Sequence, residues 1–379
     1  MALTLDNETT LVRDTAFAFF QEKSPVSALR KLRDTQDADG FSRALWKEMA
    51  DLGWAGFLVP EAFGGSEFGM VGLGQVLEAA GSTLAASPLV STALIGASAL
   101  TLGGSPAQKQ AWLPKLAAGE LLTALAVDDG AVHAPARIRL GARPHAGGWA
   151  LTGEKRFVLD GHVADLLIVA ARTSGASGDR DGITLFLVPA ESAGVRRQRT
   201  LMVDSRNAAI VHFDGVTVGA DAVLGEVDRG ADLLDAILDR ARAGLAAEML
   251  GSAKEAFDRT LRYLKERKQF GVLIGTFQAL QHRAAEMFCE IELTRSAVMQ
   301  ALSAIDERSG EIAQLASLAK AKAGEAFFLV SNEGIQMHGG IGMTDEFEIG
   351  FFLKRARVAQ ASFGDTPFHR DRYARLMGF

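Results

Sequence analysis

The sequence predicts an α+β protein in three parts. These are an N-terminal helical domain, a small central β-barrel or sandwich, and a C-terminal helical domain resembling a four-helix bundle. Three observations predict it. Apolar residues recur at helical spacing from about residue 6 to 122. Short apolar runs bounded by Gly, Asp, Arg and Ser follow, which is the grammar of strands. Helical periodicity then returns near Asp228 and holds nearly to the end. The domains are accordingly expected at 1–122, 123–228 and 229–379.

Thr9 to Gln21 places Leu11, Val12, Ala16 and Phe19 on one helical face. Gln36–Gly40 reads as a turn, and Ser42 opens a second helix that ends near Gly53. Val59–Gly65 is a loop broken by one proline and two glycines. Further helices are expected over Met70–Ala80, Val90–Leu102 and Pro106–Ala118. Strands are expected at Trp149–Gly153, Leu166–Ala171, Ile183–Val188 and Ala209–Val216, spaced as in a small barrel or sandwich. Ala231–Glu266 contains no proline and suits one very long helix or two. Phe277–Ile305 and Glu311–His338 continue the helical pattern on either side of Ser309-Gly310.

Composition excludes several classes. With 379 residues, 48% hydrophobic and 23% charged, the chain reads as an ordinary globular protein. A net charge of −6 argues against a nucleic-acid footprint, and no basic tail marks a membrane surface. Acidic residues interrupt the N-terminal apolar positions, unlike a signal peptide. No run reaches the roughly 18 apolar residues of a membrane-spanning helix. Cys289 is the only cysteine, so no intrachain disulfide forms, which fits a cytoplasmic location. It lies in "AEMFCEIEL", where a buried packing role is expected.

Two segments carry the chemistry. Arg267-Lys268-Gln269-Phe270-Gly271 closes one helical pattern, and Ile335–Gly342, "IQMHGGIG", closes another. Alone, the first reads as a solvated charge cluster at a helix end and the second as a helix C-cap followed by a turn. His338 has no second ligand at metal spacing, so no metal is expected. Together with "VPEAFGG", "LTGEKRFVLDG" and "FQALQHRAAEM", in this order along most of the chain, the two segments resemble the acyl-CoA dehydrogenase family.

The resemblance implies the family's fold, FAD as cofactor and an acyl-CoA thioester as substrate. It also implies an electron-transfer flavoprotein as acceptor and a homo- or hetero-oligomer, dimer or tetramer. Arg267, Gln269 and Phe270 match the segment that holds the pyrophosphate and adenine of a neighbouring subunit's FAD. A planar, permanently charged guanidinium suits that place. Gln278 matches a second flavin contact, and Gln336, Gly339 and Gly340 match the loop that packs against the cofactor's pyrophosphate and adenosine from the adjacent subunit. Phe157 stands where a tryptophan commonly stacks beside the flavin ring; read alone, it is a core aromatic on a strand. Leu159 replaces a hydroxyl residue. The usual threonine- and glycine-rich loop reads Val127-Asp128-Asp129-Gly130-Ala131-Val132-His133-Ala134.

The family's reaction needs a carboxylate to remove the α-proton, and family members carry it at one of two positions. The first, just before the arginine matching Arg242, is Ala241 here. The second, in a "YEGT" run, is Phe363 within Ser362-Phe363-Gly364-Asp365-Thr366. Neither accepts a proton. Asp365 reads as a helix N-cap for "TPFHRDRYARLM". Glu248, seven residues beyond Ala241, reads as a buried or interfacial polar partner. Asp239 and Arg242 match positions near the substrate end of the cleft; an i,i+3 pair on a helix surface is the bland alternative. The pattern is similar to the small subunits of heteromeric bacterial acyl-CoA dehydrogenases of the pimeloyl-CoA type. The expected function is thus α,β-dehydrogenation of an acyl-CoA with a partner chain supplying the base. A self-sufficient enzyme using Asp365 and a non-catalytic flavin or acyl-CoA scaffold are the alternatives.

Overall fold

The long helical run after Asp228 folds as a single helix of 37 residues, Gly230–Glu266. Its middle requires glycine. A Cβ added at Gly251 would sit 1.8 Å from the Glu78 carbonyl oxygen, and one added at Gly81 would sit 2.0 Å from that of Glu248. The helix bearing Gly81 and the long helix therefore touch backbone to backbone. Across this contact the Ser252 hydroxyl donates to the Gly81 carbonyl at 2.8 Å.

The structure, a computed structural model, describes residues 4–379. Its α-helices are α1 (Asn7–Lys23), α2 (Val26–Asp34), α3 (Arg43–Asp51), α4 (Gly69–Ser82), α5 (Ala97–Gly103) and α6 (Pro106–Ala117), then α7 (Gly230–Glu266), α8 (Gln278–Asp306), α9 (Ile312–His338), α10 (Ile349–Ala361) and α11 (Thr366–Leu376). A π-helix, Leu89–Gly96, runs into α5. The strands are β1 (Thr123–Ala126), β2 (Gly141–His145), β3 (Gly148–Leu159), β4 (Leu166–Arg172) and β5 (Ile183–Pro189), then β6 (Val195–Leu201), β7 (Asn207–Gly219), β8 (Val223–Leu224), β9 (Lys268–Gln269) and β10 (Val272–Leu273). Among the described residues no helix is long and apolar enough to cross a membrane.

The chain forms two compact units. One comprises the residues to Thr35, Met70–Ala85 and Arg242–Phe379; the other comprises Gln36–Gly69 and Ala86–Ala241. In the first, α4 is bound to α8 at both ends. Asp306 accepts from the Met70 and Val71 amides at 2.6 and 2.9 Å, filling the N-terminal donors of α4. Glu78 pairs with Arg295 at 2.7 Å. The buried stripe of α8 runs Met287, Ile291, Thr294, Val298 and Leu302, steps of three and four. Cys289 is two residues from Met287, off that stripe, and is exposed. This corrects its expected packing role: apolar residues recur around it at helical spacing, but only one face of the helix is covered.

In the second unit one eight-stranded sheet runs β6-β7-β3-β2-β4-β5-β8, with β1 parallel to β4. β4 and β5 are buried along nearly their whole length, which explains their unbroken apolar runs. The core gathers Leu151, Val158, Leu167, Val169, Phe186, Val211 and Phe213. β6, "VRRQRTL", is an edge strand whose arginines conceal it from hydropathy. Arg197 and Arg199 are nonetheless used structurally. They donate to the carbonyls of Ala164 and Ala38 at 2.8 and 3.1 Å.

Candidate functional site

At the end of α7 the Arg267 amide bonds the Tyr263 carbonyl at 2.9 Å, and the chain turns into the β9–β10 hairpin. Gln269 pairs with Val272, so Phe270 and Gly271 are the two turn residues, with φ of +53° and +81°. Positive φ at both positions is the geometry of a tight hairpin turn, in which Asn-Gly or Asp-Gly is usual. Phenylalanine there is a steric outlier, and such outliers gather where structure serves function. Phe270 is 92% exposed, and its ring meets the edge of Phe277, with centroids 6.3 Å apart. Arg267 and Gln269 are exposed too, and among the described residues Arg267 has no carboxylate partner. Gln278 opens α8 directly after Phe277 and is exposed.

The second motif lies beside the first. His338, at the end of α9, stacks on Tyr263 with ring centroids 4.4 Å apart and packs against Phe347 at 4.8 Å. Its Nδ1 lies 2.6 Å from the Gly334 carbonyl, and burial holds its pKa below the usual imidazole range. Among the described residues no His/Cys/Asp/Glu cluster has the geometry to hold a metal. Gly339 takes φ +65° and ψ −142°, a region open essentially to glycine alone. Gln336, Gly339 and Gly340 are exposed, and a Cβ added to either glycine would meet nothing within 4 Å. Beyond this loop Asp345 is gripped by Arg33 at 2.6 and 2.7 Å and by Arg30 at 2.9 Å. The Arg33 hydrogen bonds hold its carboxyl down to about 2. An unpaired guanidinium, open glycine backbone and exposed aromatic ring within one unit fit an anionic dinucleotide tail. Arg267→Ala is expected to weaken FAD retention about 10–100-fold, the scale of one charge-assisted contact, measured by flavin content after dialysis.

In the sheet unit Phe157 occupies a bulge. Lys155 pairs with Val211 but Val158 with Ala209, so β3 carries one extra residue. Phe157 has φ +51° and is 50% exposed, hence it is not a core aromatic. Lys155 beside it is wholly buried. Its ammonium meets Asp129 at 2.8 Å and donates to the Val127 carbonyl at 2.6 Å. Burial lowers its pKa, and Asp129 partly offsets that shift. Asp128 accepts from the Ala134 amide and meets His133 Nδ1, both at 2.9 Å. The two loop carboxylates are therefore bound to their own scaffold. Lys155 was missed by motif reading; β3 does not alternate around it, because bulges interrupt the strand on both sides.

At the positions where a base is expected, Ala241 is fully buried and Phe363 has φ +57°. Asp365 is the N-cap of α11, accepting from the Phe368 amide at 2.9 Å. Glu248 is buried and accepts from Arg355 Nε and Nη2, each at 2.9 Å. Asp239 and Arg242 are both buried on α7, so neither is a surface pair. Arg242 Nε donates to the Phe363 carbonyl at 3.2 Å, and its guanidinium lies 5.5 Å from the Phe368 ring.

Comparison with known proteins bears directly on these segments. Three family models match: the acyl-CoA dehydrogenase N-terminal domain over residues 6–120, the middle domain over 133–216 and the C-terminal domain over 228–378. Mitochondrial isovaleryl-CoA dehydrogenase of Pongo abelii is 30% identical over 376 residues, covering 97% of this chain and 88% of that protein. Among solved structures, the Tcur3481-Tcur3483 steroid ACAD is 31% identical, with a TM-score of 0.89 over 99% of this chain and 98% of that one. The ChsE4-ChsE5 complex from Mycobacterium tuberculosis is 25% identical, with a TM-score of 0.90 over the whole of both chains.

Proposed function

This chain belongs to the acyl-CoA dehydrogenase family of FAD-dependent oxidoreductases acting on CH–CH bonds, and on that premise we propose that it turns over in a heteromeric assembly whose partner supplies the catalytic carboxylate. One observation carries this reading: the two positions that bear the family's base hold Ala241 and Phe363. The nearby carboxylates are already engaged, Asp365 as a helix cap and Glu248 with Arg355. Two structurally similar proteins are named as pairs, Tcur3481-Tcur3483 and ChsE4-ChsE5, which supports a paired assembly here.

Bound FAD would supply the hydride acceptor for oxidation at the substrate β-carbon. This chain's part is to bind and align. Arg267 would neutralise phosphate charge on a neighbouring subunit's FAD, with Gln269 and Phe270 beside it, and Gln278 would add a second flavin contact. Gln336 and the bare backbone of Gly339 and Gly340 let the cofactor come close. Phe157 offers an aromatic face to the flavin ring. Asp239 and Arg242 shape the substrate end, where an acyl-CoA thioester is held. Electrons leave to an electron-transfer flavoprotein.

The test is an anaerobic titration of the FAD-loaded chain with acyl-CoA thioesters, alone and mixed with a family member that keeps its glutamate. The oxidised flavin band is expected to persist alone and bleach in the mixture, with a rate gain of at least about 10²–10⁴, the worth of a general base. Bleaching by the chain alone sinks the proposal. Asp365→Asn then decides whether that carboxylate is responsible, since Asn caps a helix about as well as Asp and removes only the proton acceptor.

A further inference from the structure

Position 363 is held in a conformation that its own residue disfavours. A bulky side chain at φ +57° persists only where the surroundings impose it. Here they do. The Phe363 carbonyl receives Arg242 Nε at 3.2 Å and lies 3.1 Å from His369 Nε2. Lys320, on α9, donates to the carbonyls of Gln360 and Gly364, each at 3.0 Å. Gly364 has φ +105°, and a Cβ there would strike the Phe368 ring at 2.4 Å. Asp365 then caps α11 and fixes where the loop ends.

Lys320 is the unexpected member. It is 1% exposed, and lysine is almost never so buried without a carboxylate partner. Its hydrogen bonds go instead to two main-chain carbonyls on either side of residue 363. Burial and the nearby Arg242 push its pKa down to about 7. A neutral amine keeps two N–H donors, so both bonds survive loss of the proton.

We propose that Lys320 is a positioning residue: with Arg242 and His369 it holds the 360–365 loop so that the side chain at 363 is presented in one fixed direction. The chain thus lacks a carboxylate at that place but keeps the device that would aim one. This rests on reading 363 as an unfilled base position, and the test separates the two ideas.

Phe363→Glu supplies the base. Its carboxylate takes the α-proton of an acyl-CoA, the C–H electron pair stays on the substrate as the enolate, and a deuteron returns from D₂O. No electron acceptor is needed. The variant alone is expected to exchange α-deuterium, followed by mass spectrometry, about 100-fold or more faster than the parent chain. Adding Lys320→Met is expected to slow exchange about tenfold at saturating acyl-CoA, with the half-saturation concentration unchanged, and Lys320→Arg to recover most of it. Lys320→Gln, which keeps two N–H donors at shorter reach, replaces Lys320→Met if that variant does not fold. Equal exchange with and without the lysine overturns the proposal, as does Phe363→Glu that binds acyl-CoA without exchanging it. If no form binds acyl-CoA, the substrate reading fails and amide hydrogen exchange decides the clamp. Peptide 360–366 is then expected to exchange about tenfold faster without Lys320, and unchanged protection overturns the proposal.

Discussion

Glu248→Leu, with Arg355 left in place, is expected to lower the unfolding free energy by about 3–5 kcal/mol. The pair joins α7 to α10 and is nearly wholly buried, Glu248 3% exposed and Arg355 6%. Both guanidinium donors use one oxygen, Oε1, each at 2.9 Å. Removing the carboxylate takes two charge-assisted hydrogen bonds from a buried cation, and the surroundings make that worse. Lys320 and Arg242 share this interior, and Arg355 is among the charges that lower the Lys320 pKa. The double replacement Glu248→Leu/Arg355→Met is expected to recover most of the loss, because an apolar pair of similar volume often matches a buried ion pair. Urea unfolding of the three chains checks both statements. A single replacement no more harmful than the double one would mean that water or the remaining contacts of Arg355 compensate for the lost carboxylate. The same bond explains why Glu248, a carboxylate close in sequence to Ala241, is not a free proton acceptor.

Much of this was legible in the chain itself, for reasons that are physical. β4 and β5 are buried over most of their length and therefore read as continuous apolar runs. Asp365 followed by Thr-Pro is a helix start whichever fold surrounds it, and the structure makes it the cap. Glu248 reads as a buried polar partner and is one. What stayed hidden depends on long-range geometry. β6 is charged because it lies at an edge, and α2 follows α1 after only Ser24 and Pro25, so the two helices have little sequence between them to mark a boundary. Ala231–Glu266 makes one helix, and Gly251, which could have marked a break within it, serves instead as the place where the Glu78 carbonyl comes close, a contact between residues far apart in sequence. Phe270-Gly271 lacks the usual composition of a hairpin turn, so its positive φ values were not foreseen. Phe157 was read as a flavin-facing or core aromatic with no sign of the bulge that exposes it. Lys155 and Lys320 defeat sequence reading most fully, since buried lysines look the same as surface ones until their partners are seen.

Lys320 leads to the second large effect, which is on pH dependence. Its pKa is lowered from 10.5 to about 7, by burial first and the Arg242 charge second, against a smaller opposing pull from Asp365. In the unfolded chain the same amine keeps its proton to about 10.4. Between these values the unfolded state binds more protons than the folded one, so stability must rise with pH. Below about pH 7 both states are protonated and the full cost of burying the charge is present. As pH rises above that value the folded chain sheds the proton and the cost is relieved, at up to about 1.4 kcal/mol per pH unit. Between pH 7 and 9 the wild-type stability is therefore expected to gain about 2–3 kcal/mol relative to Lys320→Met, whose site has no proton to lose. Equilibrium unfolding at several pH values, compared between the two chains, gives this difference directly and cancels every other titrating group common to both. A difference that does not change with pH would mean that the ammonium stays charged in the folded state, with the Gln360 and Gly364 carbonyls and Asp365 sufficient to hold it there. A rising difference would identify a lysine that the fold has made neutral near physiological pH, bonded through its two remaining hydrogens to the loop around residue 363.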